Sequence, residues 1–184
     1  MKVLAFAATS SKNSINKQLA NYAAKQIEGA QVELVDLNDY EIPLFSEDRE
    51  KDLGQPVLAK AFYQKLGEAD AIVISFAEHN GSYTAAYKNL FDWTSRIDQK
   101  IFQNKPVIML ATSPGPGGAS SVLAAAQGSA PYFGADVKGV ISVPSFYDNF
   151  DLESGQLINK ELVDNIQSAI SQLYLVKLAE TCNA

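Results

Sequence analysis

Three short runs of almost purely apolar residues constrain the fold of this chain more than any other feature. They occupy residues 2–8, 71–77 and 106–112, and polar or turn-forming residues follow each of them. A strand that is apolar at every position, rather than at alternate positions, is buried on both faces. Such strands are typical of a parallel sheet covered by helices on both sides, and they predict an α/β fold.

Helical patterns separate these strands and define the rest of the predicted topology. Apolar residues recur at helical spacing over residues 15–27, 57–66, 87–94, 121–129 and 160–179, and two further strands are predicted at residues 31–36 and 137–143. Together they predict a doubly wound, five-stranded parallel sheet of order 2-1-3-4-5 with helices on both faces. Because no repeat or linker interrupts residues 1–184, we expect a single domain.

The connection after the second strand is unusually long. Residues 37–54 form a polar, proline-containing stretch that exceeds a simple connection. Loops of this length in compact domains are usually functional or mobile. Phe45, inside this stretch, is therefore a candidate for closing over a substrate.

Charge and cysteine content exclude several classes of function. The net charge is −6 and no run of lysine or arginine occurs, so we expect no nucleic-acid partner. The apolar stretches are shorter than the roughly 18 residues of a membrane-spanning helix, so we expect no membrane segment. Cys182 is the single cysteine, which leaves no intrachain disulfide and no cysteine cluster for a metal. We therefore expect a cytoplasmic protein without a bound metal.

The segment after the first strand is rich in hydroxyl and amide side chains. Thr9, Ser11, Ser14 and Asn16 follow the strand, and a helix is predicted to start at Ile15. Hydroxyls and backbone N–H groups that converge on a helix N-terminus form a site for phosphate. Serine and asparagine also cap ordinary helices, so a merely capped helix is the alternative on this stretch alone.

The loops after the third and fourth strands offer open backbone. The third strand leads into Glu78-His79-Asn80-Gly81, and the fourth into a serine- and glycine-rich turn at residues 113–118. Because ligands of doubly wound sheets bind beyond the carboxyl ends of the strands, these loops and the first loop should line one rim. Glu78 is either a ligand neighbour through its backbone or a solvated acid, and His79 is either a ligand contact or a surface residue.

A phosphate site beside two open loops matches the requirements of flavin mononucleotide (FMN). Its ring needs a flat slot, N–H donors for the pyrimidine carbonyls and nothing bulky over N5. The first loop contains no glycine, so the Rossmann dinucleotide fingerprint is missing. The Walker A motif with its lysine is missing as well.

Three motifs carry a resemblance to a known family. Residues 8–16 read A-T-S-S-K-N-S-I-N, where the family has roughly G-S-x-R-x-x-S-x-N. Residues 77–93 read A-E-H-N-G-S-Y-T-A-A-Y-K-N-L-F-D-W, where the family has roughly P-E-Y-N-x-S-x-P-A-x-L-K-N-x-x-D-W. The turn at residues 113–118 matches a third, serine- and glycine-rich motif. The chain thus resembles the NAD(P)H-dependent FMN reductases, flavodoxin-like proteins that also include quinone, azo-dye and chromate reductases.

The resemblance implies bound FMN, with NAD(P)H as co-substrate. NAD(P)H would pass a hydride to N5 of the flavin, and a small-molecule acceptor such as a flavin or quinone would then replace it. The protein positions the cofactor, so no catalytic residue is expected in the strict sense. Members of the family usually form homodimers or homotetramers. The matching motifs place the following residues at FMN: Thr9, Ser11, Ser14, Ile15, Asn16, Glu78, His79, Asn80, Gly81, Ser113, Gly115, Gly117 and Gly118.

Two departures from the family pattern concern the ligand directly. Ser11 stands at the position of the family arginine, and Lys12 is the nearest cation. Lysine does not reproduce the bidentate grip of arginine on phosphate, so we expect weaker FMN binding than is usual in the family. His79 stands at the position of a tyrosine, which places an imidazole, in one of two charge states, against the ring.

Two other functions fit the same fold. One is a flavodoxin-type electron carrier without its own NAD(P)H activity, and the other is a flavin-free regulatory or structural domain, which the missing arginine favours. The open His79-Asn80-Gly81 loop favours the reductase over the carrier. The preference between NADH and NADPH is open, because no arginine stands at an obvious position for a 2′-phosphate.

Overall fold

The computed structural model describes the backbone of residues 1–182 and the side chains of residues 1–174, so the side chain of Cys182 lies outside the described part. The strands are β1 (Lys2–Ala8), β2 (Gln31–Val35), β3 (Ala71–Phe76), β4 (Glu78–His79), β5 (Ser82–Tyr83), β6 (Pro106–Thr112), β7 (Asp136–Val143), β8 (Phe150–Asp151) and β9 (Gln156–Leu157). The helices are α1 (Ile15–Lys25), α2 (Glu47–Leu53), α3 (Val57–Glu68), α4 (Ala85–Ser95), α5 (Ser120–Ser129), α6 (Phe146–Asn149) and α7 (Lys160–Cys182), and a 3₁₀ helix covers Leu37–Tyr40.

The central sheet has five parallel strands in the order β2-β1-β3-β6-β7. These are the five predicted strands, and their order is the predicted 2-1-3-4-5. The fold class is therefore confirmed. The switch in strand order places the carboxyl ends of β1 and β3 next to each other, which is where such sheets bind ligands.

Alternate residues of each strand face opposite sides of the sheet, and each side has its own core. On β1, Leu4 and Phe6 pack with α3, α4 and α5, whereas Val3 and Ala5 pack with α1 and α7. Every residue of β3 is buried. The burial of both faces explains why the apolar runs identified these strands so clearly.

The stretch at residues 37–54 is more ordered than its composition predicts. It contains the 3₁₀ helix and the helix α2, which buries none of its side chains. Ser46 caps α2 by accepting a hydrogen bond from the N–H of Arg49 at 3.2 Å, and Gly54 ends the helix with a φ of 64°. An exposed helix lacks the apolar periodicity on which the sequence interpretation relied, so only these two end signals mark it.

Two small antiparallel hairpins, β4–β5 and β8–β9, lie outside the main sheet and were not expected. Their strands contain two residues each, which is too short for any alternation of polar and apolar residues to be visible. Over residues 1–182, no helix reaches the combination of length and apolarity that a membrane crossing requires.

Candidate functional site

The three loops that the sequence singled out meet at the carboxyl edge of the sheet. They follow β1, β3 and β6, which are consecutive neighbours in the sheet. Parallel strands end on the same edge, so the loop at residues 9–14, the β4–β5 hairpin and the loop at residues 113–118 lie side by side. The predicted rim therefore exists as a structural feature.

The loop after β1 combines a capped helix with free donors. Ser14 is the N-cap of α1, and its hydroxyl accepts a hydrogen bond from the N–H of Lys17 at 3.2 Å. The N–H groups of Ile15 and Asn16 occupy the first helical turn, where no intrahelical acceptor exists. Capping and anion binding are thus compatible, since the serine satisfies one donor and leaves its neighbours for a ligand.

The hydroxyls of this loop are arranged by a local turn. The Thr9 hydroxyl accepts a hydrogen bond from the N–H of Ser11 at 3.2 Å and lies 3.3 Å from the Ser11 hydroxyl. Thr9 is buried and Ser11 is exposed. The side chain at the position of the family arginine therefore faces solvent at the open edge of the loop.

Asn16 is buried beneath the loop. Its Nδ2 donates to the carbonyl of Thr112 at 3.1 Å, and its Oδ1 accepts from the N–H of Thr112 at 3.1 Å and from the Ser75 hydroxyl at 2.7 Å. The residue is 3% exposed. Its side chain is thus occupied by neighbouring strand ends, and only its main-chain N–H, in the first turn of α1, lacks an intrahelical acceptor.

Lys17 and Lys12 are the cationic side chains nearest to the loop after β1 in the sequence, and they differ in whether they already have an ion-pair partner. Lys17 bonds the carboxylate of Asp36 at 2.6 Å, just after β2. The Lys17 ammonium, helped by the N–H of Asn38, lowers the pKa of Asp36 below its ordinary value. Lys12 is exposed in the loop itself. Lys12 is therefore the side chain that can approach an anion in the loop without giving up an ion pair.

The β4–β5 hairpin turns on Asn80 and Gly81. Both residues have positive φ angles, 53° and 76°, as a two-residue type I′ turn requires. His79 is exposed next to the turn. An Asn-Gly pair is a strong hairpin signal, and the segment forms the two-residue turn of a hairpin, in which a Cβ on Gly81 would meet no atom of the described residues within 4 Å.

The side chain of Glu78 joins the hairpin to α5. Its carboxylate accepts a hydrogen bond from the N–H of Val122 at 2.9 Å, in the first turn of α5. A negative charge is favourable at a helix N-terminus, so this contact fixes the hairpin against α5. Glu78 is therefore a structural contact and not a freely solvated acid.

Thr84 is a residue of this region that the sequence interpretation missed. It is 2% exposed, and its hydroxyl donates to the carbonyl of Ala8 at 2.9 Å while it accepts from the N–H of Tyr87 at 3.2 Å. Thr84 thus caps α4 and ties the hairpin to the end of β1. A threonine directly before a helical pattern is the signal that could have revealed the cap.

The loop after β6 has an open part and a packed part. A Cβ on Gly115 or Gly117 would meet no atom of the described residues within 4 Å. A Cβ on Gly118 would lie 2.2 Å from the Ser142 hydroxyl oxygen, and its φ is 56°. The Ser113 hydroxyl donates to the carbonyl of Gly115 at 3.1 Å, which holds the open part in place.

The donor set of this edge fits FMN. Free N–H groups and hydroxyls at α1 suit a phosphate, and the loop after β6 leaves open space at the Cβ positions of Gly115 and Gly117, where a ligand can approach the main chain. The described residues contain no group of three or more histidine, cysteine or acidic side chains that could hold a metal ion.

Comparisons with known proteins place the chain in a family. Residues 1–146 match the family model for NADPH-dependent FMN reductase. An uncharacterised protein of Mycoplasma pneumoniae is 31% identical over 157 residues, which cover 83% of this chain and 92% of that protein.

Two further relatives share a part of the sequence or the fold. An NADPH:quinone oxidoreductase of Arabidopsis thaliana is 32% identical over 113 residues, covering 61% of this chain but only 56% of the plant protein. The flavoenzyme NAD(P)H:(acceptor) oxidoreductase of Paracoccus denitrificans superposes with a TM-score of 0.72 over 94% of both chains at 22% identity, a likeness of fold. Because the family model matches most of the length of this chain, the chain belongs to the NADPH-dependent FMN reductase family.

Proposed function

We propose that this protein is an FMN-dependent oxidoreductase that takes a hydride from NAD(P)H and passes the electrons to a flavin, a quinone or a similar small acceptor. The observation that carries this proposal is the meeting of three loops at one edge of the sheet. One loop supplies phosphate donors, and the other two supply rigid, open backbone. Membership of the family gives the same chemistry.

The phosphate of FMN is assigned to the loop after β1. The N–H groups of Ile15 and Asn16 would donate to it, and the Thr9, Ser11 and Ser14 hydroxyls would complete the site. Each charge-assisted bond is stronger than a neutral one, so several of them compensate in part for the missing arginine. The overall charge of −6 does not assist an anion, so these local groups must hold it.

The flavin ring is assigned to the other two loops. The backbone of Glu78, Asn80 and Gly81 would support one part of the ring, with the exposed His79 imidazole beside it. The remaining ring contacts are assigned to the loop after β6, namely to Ser113, Gly115, Gly117 and Gly118. Bound FMN supplies the hydride-accepting chemistry, while these residues bind it, orient it and leave its exposed side accessible.

Assembly and location complete the proposal. We propose a homodimer or homotetramer in the cytoplasm, with residues 1–184 acting as one domain. Leu44, Leu53 and Val57 are 67%, 60% and 79% exposed, and we propose that such an assembly buries these apolar side chains. Sedimentation equilibrium of the purified chain, with a monomer as the contradicting result, tests this part separately.

An oxidation assay tests the proposed activity. Purified protein is mixed with NADH or NADPH and with a flavin, quinone, azo-dye or metal acceptor, in the presence and absence of added FMN. We expect acceptor-dependent oxidation that requires FMN. Binding of FMN without oxidation of either nucleotide would instead identify an electron carrier, and failure to bind any flavin would identify a flavin-free domain.

A further inference from the structure

We propose that Asn16 is a positioning residue, whose side chain holds the phosphate loop and the ring-binding loop at residues 113–118 in a fixed mutual arrangement. This inference rests on the proposed function, because it concerns how the two halves of one FMN molecule are bound together. It assigns the side chain of Asn16 a role separate from that of its main-chain N–H.

The contacts of Asn16 join three elements that are distant in the sequence. Asn16 lies in α1, yet it bonds both the N–H and the carbonyl of Thr112, which ends β6 and is 96 residues away. This two-bond pairing is the pattern that one strand makes with its neighbour. The Ser75 hydroxyl, buried in β3, adds a third bond to the same side chain.

The side chain is not placed to bind phosphate itself. Its Oδ1 accepts two hydrogen bonds and would repel an anion, and its Nδ2 is bonded to the Thr112 carbonyl. Asn16 and Ser75 are 3% and 0% exposed, so the network lies beneath the ligand edge and not on it. If removal of the Asn16 side chain lowers the affinity for a ligand, it must therefore do so by altering the positions of the loops.

Thr112 transmits this arrangement to the ring side of the site. The loop at residues 113–118 begins directly after Thr112. The Thr112 hydroxyl donates a hydrogen bond to the carbonyl of Val143, in β7, at 2.7 Å. Without Asn16, the buried N–H and carbonyl of Thr112 lose their partners, which is costly and favours rearrangement of the strand end. Part of the binding free energy of a ligand would then be used to order the loop, and its affinity would fall.

The test compares the binding of FMN with that of riboflavin, which has the ring but no phosphate. For Asn16→Ala we expect both affinities to fall, by about tenfold for FMN and about threefold or more for riboflavin, as for a lost preorganised contact. Ser11→Ala, at the exposed phosphate edge, should weaken FMN alone. Asn165→Ala, at an exposed asparagine of α7 outside the three loops, is the control and should leave both affinities unchanged.

Amide hydrogen exchange of the flavin-free protein provides a readout that mere loss of stability would not produce. Asn16→Ala should accelerate exchange at Thr112 and Ser113 more than at the central amides of β3. Unchanged riboflavin affinity, or faster exchange spread evenly over the sheet, would overturn the proposal. If Asn16→Ala does not fold, Ser75→Ala removes only the third bond and is expected to give the same pattern more weakly.

The wild-type protein separates this inference from the proposed function. If the wild type binds neither FMN nor riboflavin, the proposed function is wrong and the positioning role falls with it. If the wild type binds both and Asn16→Ala binds riboflavin equally well, only the positioning role is overturned.

Discussion

Gly118 holds the turn after β6 in a conformation that other residues adopt only with strain. Its φ is 56°, and a Cβ would lie 2.2 Å from the Ser142 hydroxyl oxygen and 3.0 Å from the backbone nitrogen of Pro144. Gly118→Ala should therefore lower the free energy of unfolding by about 1–2 kcal/mol for the backbone alone, and further for the overlap. Chemical denaturation of the flavin-free protein measures the change.

Gly128→Ala is the matched control for Gly118→Ala. Gly128 lies in α5 with an ordinary φ, and a Cβ there would meet no atom within 4 Å in the part of the chain that the structure describes. Because alanine is the better helix former, this variant should be more stable than the wild type by about 0.5–1 kcal/mol. Equal effects of the two substitutions would contradict the conformation assigned to Gly118.

The Thr84 side chain connects two elements beside the site, since it bonds both the end of β1 and the first turn of α4. Thr84→Val preserves the shape but removes both hydrogen bonds, so the carbonyl of Ala8 and the N–H of Tyr87 lose their partners. We expect a loss of about 1–3 kcal/mol in the free energy of unfolding. Thr84→Ser keeps the hydroxyl and should lose clearly less. A serine variant as unstable as the valine variant would show that packing, and not the hydrogen bonds, matters here.

At the scale of elements, α4 anchors the long connection that follows β2. The amide of Asn89 accepts from the N–H of Phe45 at 2.8 Å and donates to the carbonyls of Ile42 and Pro43 at 3.1 and 3.2 Å. Trp93, which is fully buried, donates to the Pro43 carbonyl at 2.7 Å and packs edge-on against Phe45. The predicted closing over a substrate by Phe45 would require this anchoring to be released.

Asn89→Ala should release the connection without unfolding the core. Trypsin then cuts faster after Arg49 and Lys51 in α2, because a loosened segment reaches the open, cleavable state more often. Asp92→Asn, which breaks only the exposed ion pair with Lys88 on the same helix, is the control and should leave the cutting rate near that of the wild type. Equal cutting rates in Asn89→Ala and the wild type would contradict the anchoring role.

The ion pair between Lys17 and Asp36 joins α1 to the segment after β2 and gives stability a dependence on pH. The pKa of Asp36 is lowered in the folded protein, so its contribution is complete above the ordinary carboxyl pKa of about 4 and is lost as the pH falls through the lower folded value. Asp36→Asn should cost about 0.2–1 kcal/mol at pH 7. Between pH 7 and pH 3 the wild type should lose more stability than this variant, and parallel pH profiles would contradict the assignment.

The elements differ in how well the sequence predicts them. Each residue of β3 is buried, so its apolar run identifies the strand directly, whereas α2 buries nothing and has no apolar pattern to detect. The contacts of the site are harder to foresee. Thr84 and Asn16 bond partners 76 and 96 residues away, and nothing in the neighbouring sequence indicates such distances. The motifs identified the loops, and tertiary packing determined which side chains remain free for a ligand.

At the scale of the whole molecule, two cores hold one sheet rigid from both sides, and the candidate site occupies one edge of it. The ties from Asn16, Glu78 and Thr84 connect the three loops of that edge to one another and to the strand ends. We therefore expect the proposed FMN site at this edge to be ordered before the cofactor binds, which lowers the cost of binding. The net charge of −6 contributes nothing to this binding, so the local geometry must provide it.

The most direct test of an FMN-dependent NAD(P)H oxidoreductase is a pair of half-reactions followed separately without oxygen. FMN-loaded protein is mixed with NADH or NADPH, and the flavin absorbance is recorded before a quinone is added. We predict that at least one nucleotide bleaches the flavin absorbance and that the quinone restores it. Protein that binds FMN but is bleached by neither nucleotide would contradict the central claim.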